Sequence, residues 1–153
     1  MTIVAYIDGG ARGNPGPAGY GVRIEDENGT LVNEFNGFLG TSTNNVAEYN
    51  GLLAALRYAQ QHGYRAVRIK SDSELLVKQM RGEYRVKNAG LLPLYQQART
   101  IAQTLDRIVY EHVRREHNKD ADRLANLGVD EWLAGEGRGY KAPEPSPPLF
   151  EPP

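Results

Sequence analysis

The chain has 153 residues, 40% of them apolar, which is enough for one compact core, and no composition break marks a second. Cysteine is absent, so disulfides and thiolate zinc sites are excluded, in keeping with a reducing compartment. The formal net charge of −1 excludes binding to nucleic acid by bulk charge, so any such contact must rest on local basic patches.

The N-terminus, MTIVAYIDGG, has no basic flank, and its apolar run is too short for a signal peptide or a membrane span; a cytosolic location is expected. Ile3 to Ile7 is a continuous apolar run, as in a strand buried on both faces, and it closes on Asp8-Gly9-Gly10. The stretch GGARGNPGPAG that follows predicts a loop, because Pro15 and Pro17 rule out a helix. Tyr20 to Glu25 alternates, Asn28-Gly29 supplies a tight turn and Leu31 to Leu39 alternates again, which predicts a hairpin.

Val46, Tyr49, Leu52, Leu53, Leu56 and Ala59 recur at helical spacing, with Thr43, Asn44 and Asn45 as cap candidates and Gly63 as a stop. A strand is expected over 65–71, then a short helix from Leu75 to Met80 ending near Gly82. The stripe Leu91, Leu94, Tyr95, Ala98, Ile101, Ala102 and Leu105 predicts a helix over 89–106. A last strand covers 108–113, and a last helix, roughly 119–133, turns Ala121, Leu124, Ala125, Val129 and Trp132 inward. Gly128 inside that helix costs about 1 kcal/mol relative to alanine. Residues 1–134 are thus expected to form one domain, and 135–153 a proline-rich tail whose Leu149 and Phe150 offer apolar docking points.

The order βββαβααβα predicts an α/β fold with a five-stranded mixed sheet: an antiparallel trio, then two strands parallel to the first, reached by helical crossovers. In such sheets ligands sit beyond the carboxyl ends of the parallel strands. Asp8 and Asp72 lie at two such ends, while Glu48 and Asp122 lie near helix starts. Each has an ordinary explanation: a turn starter for Asp8, a capping-box spacing for Glu48, first-turn acids after Ser71 for Asp72 and after Asn118 or Asp120 for Asp122. Around one crevice, however, four like charges repel unless cations neutralise them. Paired divalent ions roughly 4 Å apart would balance that charge and assist an in-line displacement at phosphorus.

Four strings in this chain, IDGGARGNPGPAGYG, TSTNNVAEYNGLLAAL, IKSDSELLVKQM and REHNKDADRLAN, resemble the motifs of the type 1 ribonucleases H, in that family's order. The resemblance implies a ribonuclease H-like fold with helices on both faces of the sheet. It also implies Mg²⁺-dependent endonucleolytic hydrolysis of the RNA strand in an RNA–DNA hybrid, with Mn²⁺ as an alternative ion. Asp8, Glu48, Asp72 and Asp122 would hold two metals, with Asp8 bridging and Glu48 close to the scissile ribose.

Substrate contacts are expected from Gly9, Gly10, Arg12, Gly13 and Asn14 in the glycine-rich stretch, from Thr43, Asn44 and Asn45 at the first helix, and from Glu74. A 2′-hydroxyl in a wide, shallow minor groove is the mark of RNA that such polar groups can read. By similarity, Asn14 and Thr43 would also touch the DNA phosphate.

Three departures from the family pattern stand out. The link RGEYRVKNAG is too short for the basic helical handle of the best-known bacterial members, so weaker and more salt-sensitive binding is expected. Glu74 stands where glutamine is frequent. The compressed loop HVRREHNKDAD offers two candidates, Arg115 and His117, for the flexible histidine that aids product release; Arg115, a permanent cation seven residues before Asp122, is favoured.

Of the three basic groups, Arg65, Arg68 and Lys70, then Arg81, Arg85 and Lys87, then Arg114 and Arg115, each has a solvated face as its ordinary reading. Alternatives to a hybrid-cleaving monomer are a non-catalytic hybrid- or duplex-binding module, a nuclease acting mainly on double-stranded RNA or on a lone ribonucleotide in DNA, and a nucleotide cradle in the glycine-rich loop. The last is disfavoured because that motif needs a helix after the loop, and here a strand follows.

Overall fold

The structure is a computed structural model and describes residues 1–137. The strands are β1 (Thr2–Ala11), β2 (Gly16–Asp26), β3 (Leu31–Ser42), β4 (Ala66–Ser71) and β5 (Arg107–His112). The helices are α1 (Asn44–Gln61), α2 (Glu74–Met80), α3 (Leu92–Ala102) and α4 (Lys119–Gly137), with one 3-10 turn at Arg115–His117. The expected element order holds throughout. The proposed tail lies outside the described residues from 138 onward, Leu149 and Phe150 included, and α4 continues three residues past the expected domain limit.

The sheet order is β3-β2-β1-β4-β5, antiparallel across β3, β2 and β1 and parallel across β1, β4 and β5. One face carries the main core: Ile3, Ala5 and Ile7 from β1, Val22 and Ile24 from β2, and Val67 and Ile69 from β4 meet Leu52, Leu53 and Leu56 of α1. Burying one such side chain contributes about 1.5–3 kcal/mol, so this layer is the main source of stability. α4 lies against the opposite face, with Ala121, Leu124, Ala125 and Val129 buried as expected. Trp132 is only half-buried and stacks on Phe38 of β3, ring centroids 4.3 Å apart.

Two boundaries differ from the sequence reading. The glycine- and proline-rich stretch is mostly strand, because β1 runs to Ala11 and β2 begins at Gly16. A ladder is made by backbone groups and needs no apolar side chains; pairing continues through Gly9↔Tyr20 and Ala11↔Ala18, and the Pro17 carbonyl still accepts from Arg12 N–H. Helix α3 is shorter than its apolar stripe. The Asn88 carboxamide oxygen accepts from Gly90 N–H at 2.7 Å, holding a turn that delays the helix start, and after Ala102 the chain turns to bring Asp106 N–H onto the Arg65 carbonyl. Leu105 packs on the core from that turn.

The register sets the site. Ser71 of β4 stands opposite Ile7 of β1, so Asp72 and Asp8 follow at the same level on neighbouring parallel strands. Asp8 itself lies inside β1, opposite Gly21 of β2.

Candidate active site

Two glycines decide how near the acidic helices come. A Cβ on Gly9 would lie 2.3 Å from the Ala47 carbonyl carbon, so only glycine lets α1 approach and place Glu48 beside the end of β1. A Cβ on Gly21 would lie 2.3 Å from the Ala121 carbonyl oxygen, so its absence lets α4 settle on β2, opposite Asp8 in register, and bring Asp122 alongside. Asn118, 1% exposed, holds the start of α4 in place. Its side-chain amide donates to the Ile7 carbonyl at 2.8 Å, while its own carbonyl accepts from Asp122 N–H at 3.1 Å.

The four acids line one cleft of about 390 Å³ together with Gly9, Gly10, Arg12, Asn44, Asn45 and Arg115. Burial first, and then the charges of Asp72 and Asp122, push the Asp8 carboxyl up to about 8; Asp122 and Asp72 are hydrogen-bond partners for its protonated form. Burial also pushes Glu48 up to about 7, against a hydrogen bond from Ser73 and the charge of Arg115. Asp72 is raised by burial and held back by Arg115, whose Nε lies 3.7 Å from Oδ2. Asp122 is exposed, and Asn126 one turn on donates to its carbonyl at 3.0 Å and its carboxylate at 3.3 Å.

Such a set suits a hard divalent cation. All donors are oxygens, Glu48 Oε2 is buried with no hydrogen-bond partner, and three crowded carboxyls sit above their ordinary range, where cation binding would favour the charged form. As they stand, among the described residues no three acids or imidazoles are close enough together to hold a metal ion between them, so the four acids share a cleft without forming a finished metal site.

The local capping meets expectation at α1 and differs at α2 and α4. Thr43 caps α1, accepting from Val46 N–H at 3.3 Å. Ser73, not Ser71, caps α2, so Asp72 precedes the helix and belongs to the end of β4. Asn118 is no side-chain cap for α4, since its amide is spent on β1 and its Oδ1 has no partner.

The polar residues expected at the substrate divide into two groups. Asn44 Oδ1 accepts from Ala11 N–H at 2.8 Å, and Asn14 Oδ1 accepts from Asn44 N–H at 3.1 Å, so these carboxamides brace the β1–β2 turn against α1 and keep their amide donors for a ligand. Arg12 is pinned to α4 by Asp130 at 2.7 Å and by the Asn126 carboxamide at 3.2 Å. Gly13, Asn14, Thr43 and Glu74 do not line the cleft. Glu74 is drawn instead to Lys78 on its own helix, at 2.7 Å, because the pair stands at i,i+4. His117 also lies outside the cleft and lines grooves on the uncovered part of the sheet, whereas Arg115 of the same turn faces the acids.

Ala125, Asn126 and Val129 also line the cleft; the first two close the string REHNKDADRLAN and Val129 lies beyond it, and none of the three is among the site residues expected from the sequence. The helical period alone could have found them, since they fall three, four and seven residues after Asp122.

Residues 6–128 match the family model described as Reverse transcriptase-like. Among curated proteins, the chain is 47% identical over 131 residues to the bifunctional protein Rv2228c of Mycobacterium tuberculosis, covering 85% of this chain and 36% of that protein. It is 34% identical over 147 residues to ribonuclease H of Methylococcus capsulatus, covering 86% and 92% respectively. The chain therefore spans about a third of the length of the first of these relatives but nearly all of the second. Among solved structures, LC11-RNase H1 in complex with an RNA/DNA hybrid superposes with a TM-score of 0.82 at 43% identity, over 86% of this chain and 99% of that one. Fold, cleft and relatives agree: the chain belongs to the type 1 ribonuclease H family.

Proposed function

We propose that this chain is a metal-dependent endonuclease that hydrolyses the RNA strand of an RNA–DNA hybrid, leaving 5′-phosphate and 3′-hydroxyl ends. The observation that carries this reading is the convergence of Asp8, Glu48, Asp72 and Asp122 on one cleft rimmed by backbone and carboxamide donors. A binding module would gain nothing from four acids facing a polyanion. The hybrid bound by LC11-RNase H1 supports the choice of substrate.

Asp8, Glu48, Asp72 and Asp122 would hold two Mg²⁺ ions. Bound there, such ions supply a water activated for in-line attack and neutralise charge on the departing oxygen. The chain's own residues provide the rest. Asn44, Asn45 and the Gly9–Gly10 backbone line the cleft with donors that can read a 2′-hydroxyl in a shallow minor groove. Arg12, held by Asp130, adds a fixed cation at the rim. Arg115, 88% exposed on a short turn, is a permanent cation able to follow a phosphate out of the site, which makes it the product-release residue in preference to His117. Residues 1–134 carry the activity as a monomeric domain, acting in the cytosol; among the described residues no helix is long and apolar enough to cross a membrane.

Labelled hybrid, RNA–RNA, DNA–DNA and single-ribonucleotide duplexes, each with Mg²⁺, Mn²⁺ or EDTA, test the assignment. Scission of the hybrid that EDTA abolishes is expected. Preferred cutting of RNA–RNA or of the single-ribonucleotide junction would replace the substrate, and cation-independent binding without scission would replace the enzyme with a binding module.

A further inference from the structure

The family handle is absent, and four of the eight cations that the sequence grouped into patches are spent on neighbours: Arg65 on Asp106, Arg68 on Glu111, Arg81 on Glu83 and Arg115 on Asp72. Two basic regions escape this neutralisation among the described residues: Arg85 and Lys87 on the link after α2, which do not line the cleft, and a group beside the cleft itself. An open groove of about 490 Å³, on the part of the α4 side of the sheet that α4 leaves uncovered, is lined by Tyr6, Lys70, His112, Val113, Arg114 and His117, with no acid among them. Lys70 makes no ion pair among the described residues and lies over the Tyr6 ring at 5.4 Å. Arg114 is 81% exposed, and its nearest acid, Glu116, stands 4.0 Å away at the outer limit of an ion pair.

This groove adjoins the cleft. Lys70 precedes Asp72 by two residues on β4 and so shares its side of the strand, and the turn Arg115–His117 forms the divide, with Arg115 on the cleft side and Arg114 and His117 on the groove side. A strand leaving the acids past Arg115 therefore meets Lys70 and Arg114 next. We propose that this groove is a second nucleic-acid contact, taking the phosphodiester backbone of the substrate where it runs out of the cleft. Its complementarity is that of unpaired cations for phosphate, helped by imidazole N–H donors and the Tyr6 ring. The inference rests on the nuclease reading for the polyanion in the cleft, and it supplies phosphate contacts that the missing handle does not.

The test uses the full chain carrying Asp8→Asn to prevent cutting, with a fluorescent hybrid of about 20 base pairs titrated from about 50 to 200 mM salt. Lys70→Gln with Arg114→Gln should weaken binding several-fold and lower the slope of log Kd against log salt by roughly one to two, near 0.9 for each phosphate no longer neutralised. Arg107→Gln, an exposed cation on the far part of the same sheet face, is the control and should leave the slope in place. Arg114→Gln alone, on an exposed side chain, keeps the test informative if the double variant folds poorly. A slope equal to that of the Arg107 control overturns the proposal, including the outcome in which the groove takes only free phosphate. Metal-dependent cutting by the unmodified chain, measured in parallel, separates the two ideas: its absence would sink the nuclease reading, while the slopes still decide the groove.

Discussion

The Asn118 side-chain amide donates to the Ile7 carbonyl at 2.8 Å, a bond across 111 residues of sequence that ties the strand of Asp8 to the helix of Asp122. Both ends matter, because the Asn118 carbonyl also accepts from Asp122 N–H. Asn118→Ala leaves a buried carbonyl unpaired at a cost of roughly 1–3 kcal/mol. The expected result is a melting midpoint lower by several degrees and weaker Mg²⁺ binding by calorimetry. Unchanged Mg²⁺ affinity in a destabilised variant would reduce Asn118 to a purely architectural role.

Gly21 offers a sharper test of how α4 is seated. A side chain at this position has no room, since the Ala121 carbonyl oxygen stands 2.3 Å from where a Cβ would be. Gly21→Ala should destabilise by about 1–3 kcal/mol through overpacking, and should reduce turnover more than a surface change of equal thermal cost, because Asp122 moves with the helix. Equal losses in both variants would show that the α4–β2 distance does not govern the chemistry.

The acid cleft also predicts an inverted pH dependence for the metal-free protein. Asp8 and Glu48 have folded-state values near 8 and 7, above the ordinary 3.8 and 4.5, so between these limits the folded chain binds more protons than the unfolded one. Their contribution to stability is full below about pH 4 and is lost as pH rises through about 7 to 8. In EDTA the melting midpoint should therefore fall between about pH 6 and 8.5, and Mg²⁺ should recover much of the loss by binding the ionised form. Asp8→Asn should flatten the fall and raise the midpoint at the alkaline end of that range. A midpoint that rises with pH in EDTA would contradict the electrostatic account.

Arg115 moderates the acids from an exposed position, 3.7 Å from Asp72. Arg115→Ala should lower steady-state turnover by roughly tenfold with Mg²⁺ affinity intact, since it removes a mobile phosphate partner and not a metal ligand. A burst of product followed by a slow phase would locate the defect after cleavage. An unchanged rate would shift the role to His117 or to no residue.

Much of this architecture is readable in the chain because it depends on period and order. The apolar run Ile3–Ile7, the α1 stripe and the α4 stripe each fix which face is buried, and the order of elements then fixes which strand ends meet. The acids are readable for the same reason, as breaks in those patterns: Asp8 closes the apolar run though not its strand, Asp72 follows β4, and Glu48 and Asp122 lie near the starts of α1 and α4. What escapes a sequence reading depends on approach in three dimensions. The continuation of β1 to Ala11 is a property of paired backbone, invisible in glycine and proline content. Asn118 resembles a helix cap because the sequence does not show that Ile7 lies within its reach. Glu74 resembles a substrate ligand, yet Lys78 one turn away competes for it.

Metal-dependent scission of an RNA–DNA hybrid by the unmodified chain and by Asp8→Asn tests the central claim most directly. With Mg²⁺ the unmodified chain should release RNA fragments ending in 5′-phosphate, EDTA should stop it, and Asp8→Asn should remain folded yet cut at least about a thousandfold more slowly, a barrier increase of about 4 kcal/mol. Cutting by Asp8→Asn at an undiminished rate, or no cutting by the unmodified chain with Mg²⁺ or Mn²⁺, would contradict it.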